Sequence, residues 1–590
     1  MNEQLAGMDR LGVKKRIVVR KPPDTPCDFP PDLHPVMRRI LAARNIRSPK
    51  DLDHSLKALP QPQLLQGMDI MVPQLIEAIE HRSRLLVVAD FDADGATSCA
   101  VAKRGLEMLG ATNVRYLVPD RFRFGYGLTP EIVEVASRQL PDLILTVDNG
   151  ISSLEGVKAA RERGIKVLIT DHHLPGRLLP EADAIVNPNL PGDLFPGKSL
   201  AGVGVMFYVL SALRKAMRES GWFRRHSIAE PNLAVLLDLV ALGTVADVVE
   251  LDQINRILVY QGLQRIRRGF AQPGVNALLQ VAGRALETLN AADLGFAVGP
   301  RLNAAGRLDN MALGIECLLS DDFDAALGMA EELDTLNRNR REIESRMKEQ
   351  ALTQLDVGEF QQQADLPAGI CLYDDSWHQG VVGIIASRIK DRVQRPVIAF
   401  APVGDGAIKG SARSVDGIHI RDVLSEIAAR HPRLLNKFGG HAMAAGLSIQ
   451  LSDFAEFSSV FAEALKCHGG DFEVEPTIYT DGILTWTDLN LEFAELLQRI
   501  APWGKGFPEP LFQGDFDVVE SRVLKEKHVK FALCLGRREP ILDGIAFFAE
   551  QPESWLAVDK IRLTYRLAVN EFRNLRKLQL IIEYMEPLDC

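Results

Sequence analysis

The 590-residue chain is 46% hydrophobic and 25% charged, ordinary values for globular protein, and its length predicts three or four domains. Its first twenty residues hold no apolar core of a secretory signal, and the most apolar run, LAVLLDLVALGTVADVV, is broken by Asp238 and Asp247, so a cytoplasmic protein with no membrane partner is expected. The net charge of −10 does not exclude nucleic acid, because residues 451–520 concentrate 14 acidic against 3 basic residues, and seven dispersed cysteines predict reduced thiols without structural zinc.

After a lead-in over 1–83, short apolar runs alternate with amphipathic stretches. RLLVVAD, NVRYLVP, DLILTVD and IKVLITD read as buried parallel strands, and TPEIVEVASRQL and SSLEGVKAARERG as the helices between them, the second closed by Gly164. This is the βαβ pattern of an open parallel sheet, expected over 84–320. Three of its strands end in Asp90, Asp148 and Asp171. Ligand sites in such sheets lie beyond the carboxyl ends of the strands, so these acids are expected to converge. A long, charge-rich helix with a thin apolar seam is predicted over 321–355, within a connector spanning 321–365. A second α/β domain follows over 366–468. Residues 469–590 read as several strands separated by turns, a small β-barrel with an OB-fold as one candidate.

The turn DFDADG places Asp90, Asp92 and Asp94 at alternate positions. Two carboxylates about 4 Å apart repel by about 1 kcal/mol in water and several times that near a protein surface. Something positive belongs there. An EF-hand is excluded, because loop position 12 is Val101 rather than Glu and a strand precedes the loop. VDNG adds Asp148, TDHH adds Asp171, His172 and His173, and GTVADVVEL adds Asp247 in a loop after an apolar helix. Carboxylates with imidazole and no thiols suit Mn2+, or Mg2+ less fully. There are enough carboxylates for two divalent cations about 3.5–4 Å apart, a clamp for in-line phosphoryl displacement.

In this order, DFDADG, VDNG, DHH and GTVADVVEL resemble the DHH phosphoesterase superfamily. With GPRLNAAGRLDN (299–310) and FGGHAMAAG (438–446), the latter similar to a DHHA1-type substrate-binding domain, the resemblance narrows to the RecJ single-strand-specific DNA exonucleases. It implies that Asp92 and Asp148, with Asp90 nearby, hold one metal, and that Asp94, Asp148, His172 and Asp247 hold the other. Phosphatases of the superfamily carry a histidine where this chain has Val88, which leaves Asp90 to fill that role. His173 would face the scissile phosphate, with Asp171 orienting a histidine. The implied activity is 5′-to-3′ hydrolysis of single-stranded DNA to mononucleotides in recombination and mismatch repair. A monomer, with a single-strand-binding protein and a helicase as partners, is expected. The alternatives are an oligonucleotide nuclease or nucleotide phosphatase of the superfamily, against which the barrel tail counts, and an inert scaffold, against which the intact acids and histidines count.

On the substrate side, Arg301, Asn303 and Arg307 are expected to bind phosphate from a Gly-bounded turn. Ser411 and Arg413 in IKGSARS suit a phosphate as well. Gly439 and Gly440 mark a close backbone approach, with His441 alongside. In DRFRFGYGL, Arg121 and Arg123 alternate with Phe122, Phe124 and Tyr126, a pattern that holds a single strand by phosphate pairing and stacking. Arg562, Arg566, Arg573, Arg576 and Lys577 are expected to line a groove tracking the strand's backbone.

Overall fold

The computed structural model describes residues 15–24, 26–357, 366–435, 437–468, 477–536, 539–549, 551–572 and 575–588. After a short strand β1 (Arg16–Val19), the chain builds a parallel sheet from β2 (Leu85–Ala89), β3 (Val114–Leu117), β4 (Leu143–Val147), β5 (Lys166–Thr170) and β6 (Ala184–Val186), in the order β3-β2-β4-β5-β6. All five residues of β2 and all five of β4 are buried, which is why these strands read as unbroken apolar runs. Their side chains still alternate. Leu85, Val87 and Ala89 join the core beneath helix Ala93–Met108, while Leu86 and Val88 join a second core with Val133 and Val157 of helices Pro130–Ser137 and Leu154–Glu162. Thr129 caps the first of those two helices, and Gly164, at φ +71°, follows the second.

The long helix spans Phe323–Val357, 35 residues, and passes between two compact units at Asn337–Arg338. The smaller unit carries a sheet of β7 (Ile370–Tyr373), β8 (Val397–Gly404), β9 (Ala407–Arg413), β10 (Lys437–Gly440) and β11 (Ala444–Gln450), ordered β10-β11-β9-β8-β7. Here β7 and β8 pair in parallel and the other pairs are antiparallel. Phe400, Phe457 and Phe461 fill its core.

Past β12 (Thr477–Thr480), a closed barrel forms from β13 (Phe512–Leu524), β14 (His528–Cys534), β15 (Leu542–Ala546), β16 (Lys560–Phe572) and β17 (Leu575–Pro587). The barrel belongs to the same compact unit as the parallel sheet, and one continuous hydrophobic core runs through both. Arg44 pins the two together: its Nη1 donates to Asp481 Oδ1 (2.6 Å) and its Nη2 to Oδ2 (2.9 Å), both side chains being 0–1% exposed. Removing Arg44 leaves the buried Asp481 with Arg20 (3.3 Å) as its remaining counter-ion, so Arg44→Ala is expected to cost about 3 kcal/mol, the low end for a broken buried pair. A melting temperature within a degree of the parent chain would show that the pair is dispensable.

The barrel arginines do not form the open basic groove expected of them. Arg562 pairs with Asp515 and Glu586, Arg566 with Glu509 and Glu583, and Arg576 with Glu495. Their charge is largely neutralised by these neighbours. Arg573 lies outside the described residues. GPRLNAAGR is also not a turn: Gly299–Leu308 is helical and continues directly from the π-helical turn Leu294–Val298. FGGHAMAAG is a hairpin, β10 pairing with β11.

Candidate metal centre

The strand order reverses between β2 and β4, and Asp90 and Asp148 are the first residues beyond these two neighbouring strands. A crevice opens at such a switch point. Asn149 bridges it, its Nδ2 donating to the carbonyls of Val88 (3.0 Å) and Val147 (2.9 Å). Asp148 sits at φ +61°, a left-handed conformation costly for a residue with a side chain.

Two helix N-termini help to hold the acids. Asp92 caps helix Ala93–Met108 by accepting the Gly95 N–H (3.0 Å), and Asp94 lies in its first turn. Asp94 also accepts the N–H groups of Gly202 (2.7 Å) and Val203 (3.0 Å), which begin helix Gly202–Glu219. Each helix N-terminus contributes about half a positive charge. Even so, carboxylates dominate the cluster.

Three groups of ligand atoms converge, each within 4.8 Å: Asp90, Asp92 and Asp148; Asp94, His172 and Asp247; and Asp148, His172 and His173. His172 Nε2 lies 3.2 Å from Asp148 Oδ1, 3.5 Å from Asp247 Oδ2 and 3.9 Å from Asp94 Oδ2. Both His172 Nε2 and Asp148 Oδ1 are buried with no hydrogen-bond partner among the described residues. Buried polar atoms facing one another unpaired are rare, and a bridging cation would satisfy both. The donor set, oxygen with imidazole and no thiolate, fits Mn2+ or Mg2+.

Burial, then the neighbouring carboxylates, pushes Asp90, Asp148 and Asp247 well above the usual carboxylate range and Asp94 up to about 7. Burial and the charge of His173 push His172 down to about 4, which leaves its imidazole neutral and able to ligate. For His173 burial opposes the charge, but the hydrogen bond and negative charge of Asp171 outweigh it and raise the imidazole to about 9. Folding of the metal-free chain therefore takes up protons that an unfolded Asp releases near pH 4. Stability is present at low pH and declines as pH rises through about 7. A bound cation must displace those protons. The increase in melting temperature on adding Mn2+ is expected to be larger at pH 8 than at pH 6; equal increases would place the metal elsewhere.

Asp171 has both oxygens engaged. Oδ1 accepts the His172 (2.7 Å) and His173 (3.1 Å) N–H groups and meets His173 Nδ1 at 2.7 Å, while Oδ2 accepts the Ile151 N–H (2.9 Å). It orients the histidines and belongs to none of the three ligand groups. Asn187 and Asn189 hold the same turn, donating to the carbonyls of His173 (2.9 Å) and His172 (2.6 Å). Tyr126 reaches His173 Nδ1 (3.1 Å) and the Asp148 carbonyl (3.4 Å), so its hydroxyl braces the centre.

The other substrate-side residues have mixed fates. Arg121 lies over the Phe91 ring (4.5 Å) and donates to the Gly306 carbonyl (3.5 Å), beside the aspartate turn. Phe124 packs on the core of the sheet instead of presenting a stacking surface. Arg301 is buried, donating to the Ala297 carbonyl (2.5 Å) and pairing with Asp334 (2.8 Å). Asn303 Oδ1 accepts the Ala93 N–H (2.9 Å), clamping the first turn that carries Asp94. Arg307 is half-buried at the end of that helix.

In the smaller unit, Arg413 Nη1 donates to Ser411 Oγ (2.9 Å), and a Cβ on Gly383 would sit 2.8 Å from Arg413 Nη2. The bare glycine lets the start of helix Val382–Val393 come up against the Ser–Arg pair. Gly439 faces open space, whereas a Cβ on Gly440 would meet the Ala444 carbonyl at 2.4 Å across its own hairpin. His441 begins the turn of that hairpin, its N–H donating to the Ala444 carbonyl (2.8 Å).

A doubly faced parallel sheet with this carboxylate–histidine cluster at its switch point is the architecture of a DHH-type phosphoesterase. Residues 84–244 match the DHH family N-terminal domain, 367–466 the DHHA1 domain and 480–584 the RecJ OB domain. The chain is 49% identical to the single-stranded-DNA-specific exonuclease RecJ of Salmonella typhimurium, over 98% of this chain and all of that protein. It is also 49% identical to RecJ of Escherichia coli, over 96% of this chain and 99% of that one. The crystal structure of Thermus thermophilus RecJ in complex with Mn2+ superposes with a TM-score of 0.76 at 29% identity, covering 98% of this chain and 80% of that one. The chain belongs to the RecJ family of single-stranded-DNA-specific exonucleases.

Proposed function

We infer that this chain is a metal-dependent exonuclease that hydrolyses single-stranded DNA, and that it works from the 5′ end to release mononucleotides. The observation that carries the reading is the pair of ligand groups, Asp90–Asp92–Asp148 and Asp94–His172–Asp247, whose facing orphaned atoms call for cations. Two divalent cations, Mn2+ by preference or Mg2+, supply an activated water and neutralise charge on the scissile phosphate. Asp148 is the ligand offered to both. His173, with its pKa at about 9, keeps its proton at neutral pH and is the donor and charge stabiliser toward the phosphate. Asp171 and Tyr126 are positioning residues that fix its ring. Asn303 is assigned the same supporting role for the Asp94 turn.

Polarity is assigned to a clamp on the terminal 5′-phosphate, with Arg413 and Ser411 as donors. Arg413→Ala is expected to erase any preference for 5′-phosphorylated over 5′-hydroxyl strands without changing Mn2+ binding. Retention of the preference would remove Arg413 from the clamp. The barrel is assigned additional contacts with a long strand, made by groups other than its acid-paired arginines. Because the barrel shares a core with the catalytic part, its deletion would unfold both, so single substitutions test it better than truncation.

Roles in recombination and mismatch repair follow from the family. A cytoplasmic monomer that meets a single-strand-binding protein and a helicase completes the reading. Among the described residues no helix is long and apolar enough to cross a membrane. The test is Mn2+-dependent digestion of single- and double-stranded DNA labelled at either end. Early release of a 5′ label from single strands alone is expected; early release of the 3′ label, or equal digestion of duplex, would overturn it.

A further inference from the structure

Beyond Asp247 the larger unit encloses a cavity of about 370 Å³ that none of the roles above uses. One wall is the segment that flanks Asp247, through Val245, Val248 and Val249, and the opposite wall is the stretch from Gln498 to Glu509 that leads into the barrel. The volume is that of a small ligand site. Its lining combines two features that rarely meet by accident, fixed aromatic rings and converging positive charge.

Tyr260 is stacked on His54 (4.4 Å between centroids, 15° between planes), and Trp503 on Phe507 (5.0 Å, 11°). Rings held in this way lose little freedom when a ligand arrives. Phe296 stands at the rim 79% exposed, an unusual position for so large an apolar side chain, and Val248 beside Asp247 is 60% exposed at φ +59°. The cations are Arg267, Arg499, Lys505 and Arg566; Arg566 is held by Glu509 (2.6 Å) and Glu583, and Arg499 pairs with Glu495 (3.5 Å). Arg267 therefore lines the cavity partly buried, with the exposed Lys505 and Arg499 at its rim. Burial lowers the pKa of Arg267, and the like charge of Arg499 adds to this. An anion would offset the burial of Arg267 and meet the two rim cations.

We propose that this cavity is a second nucleotide-binding site, which takes a base against its fixed rings and Phe296 and the attached phosphate between Arg267, Arg499 and Lys505. A base joined to a phosphate is the chemistry that satisfies both the apolar, aromatic wall and the cations beside it; an aliphatic or neutral ligand satisfies one of them. That chemistry has two sources, a free mononucleotide or one unit of a DNA strand. Because the wall includes Val245 and Val248, on either side of Asp247, occupancy reports to the loop that carries this acid.

The test uses the full chain in excess EDTA, where nothing is hydrolysed, so its outcome does not depend on the exonuclease reading. Binding of radiolabelled thymidine 5′-monophosphate and of a fluorescent oligothymidylate is measured for the parent and for Lys505→Ala and Phe296→Ala. Both residues are exposed, so the fold should tolerate either change. Each substitution is expected to weaken binding about tenfold, within the range for loss of one stacking or phosphate contact. A loss confined to the mononucleotide identifies a free nucleotide as occupant, and a loss confined to the oligomer identifies a unit of the strand. Affinities unchanged in both variants for both ligands, or displacement by inorganic phosphate as effective as by nucleotide, would overturn the proposal.

Discussion

Asp148→Ala is expected to reduce hydrolysis by at least about a thousandfold, equivalent to about 4 kcal/mol of transition-state stabilisation. Asp148 belongs to the Asp90–Asp92–Asp148 group, and its Oδ1 lies 3.2 Å from His172 Nε2 of the Asp94–His172–Asp247 group, so its loss damages both cation positions together. The fold should survive. In the metal-free chain Asp148 is a buried acid among acids, held at φ +61°, and its removal relieves both repulsion and backbone strain. The variant should therefore melt no lower than the parent in EDTA, yet gain little stability from Mn2+. Substantial activity in a folded variant would sink the shared-ligand assignment; a collapse of stability without metal would show that Asp148 is structural.

Gly202→Ala should be nearly as damaging, although no atom of Gly202 faces the substrate in the proposed mechanism. A Cβ there would lie 2.6 Å from Asp148 Oδ1 and 2.7 Å from its Cβ, closer than real contacts allow. The glycine opens helix Gly202–Glu219, where alanine is otherwise the better helix former by about 1 kcal/mol. The conflict therefore falls on Asp148 and on the N–H bond that Gly202 gives Asp94. Displacement of a reacting group by about 1 Å costs on the order of a hundredfold in rate. A similar loss in kcat is expected, with weaker Mn2+ binding and an unchanged melting temperature in EDTA. Parent-like kinetics would mean that Asp148 tolerates displacement.

The acids of this centre were legible because each ends an apolar strand or helix, and strand ends in a parallel sheet converge. Their supports were not. Asn303 meets Ala93 across 210 positions of sequence, Asn189 meets the histidine turn across 17, and neither spacing leaves a local pattern. The helix at Gly299–Leu308 has the sequence pattern of a turn because glycine has two uses. Gly306 is there for proximity: a Cβ would come within 1.8 Å of the Phe91 carbonyl, on the aspartate turn itself. Arg301 looked like a phosphate ligand because its partner, Asp334, belongs to a helix whose packing the sequence does not reveal. The barrel arginines misled for the same reason, since β-strand neighbours such as Asp515 and Arg562 lie 47 residues apart.

The pairing of Arg44 with Asp481 has a consequence for how the chain is made. The two residues are 437 positions apart, and residues 338–478 of the smaller unit are encoded between the two parts of the larger one. At about 5–20 residues per second, a ribosome needs about 20–90 seconds to go from one to the other. Throughout that interval the nascent parallel sheet has its apolar flank uncovered and Arg44 without its counter-ion. The intervening unit, by contrast, has all of its own strands in hand and is free to fold first. Assembly of the catalytic body is thus the last event of synthesis, completed only when the final strands emerge.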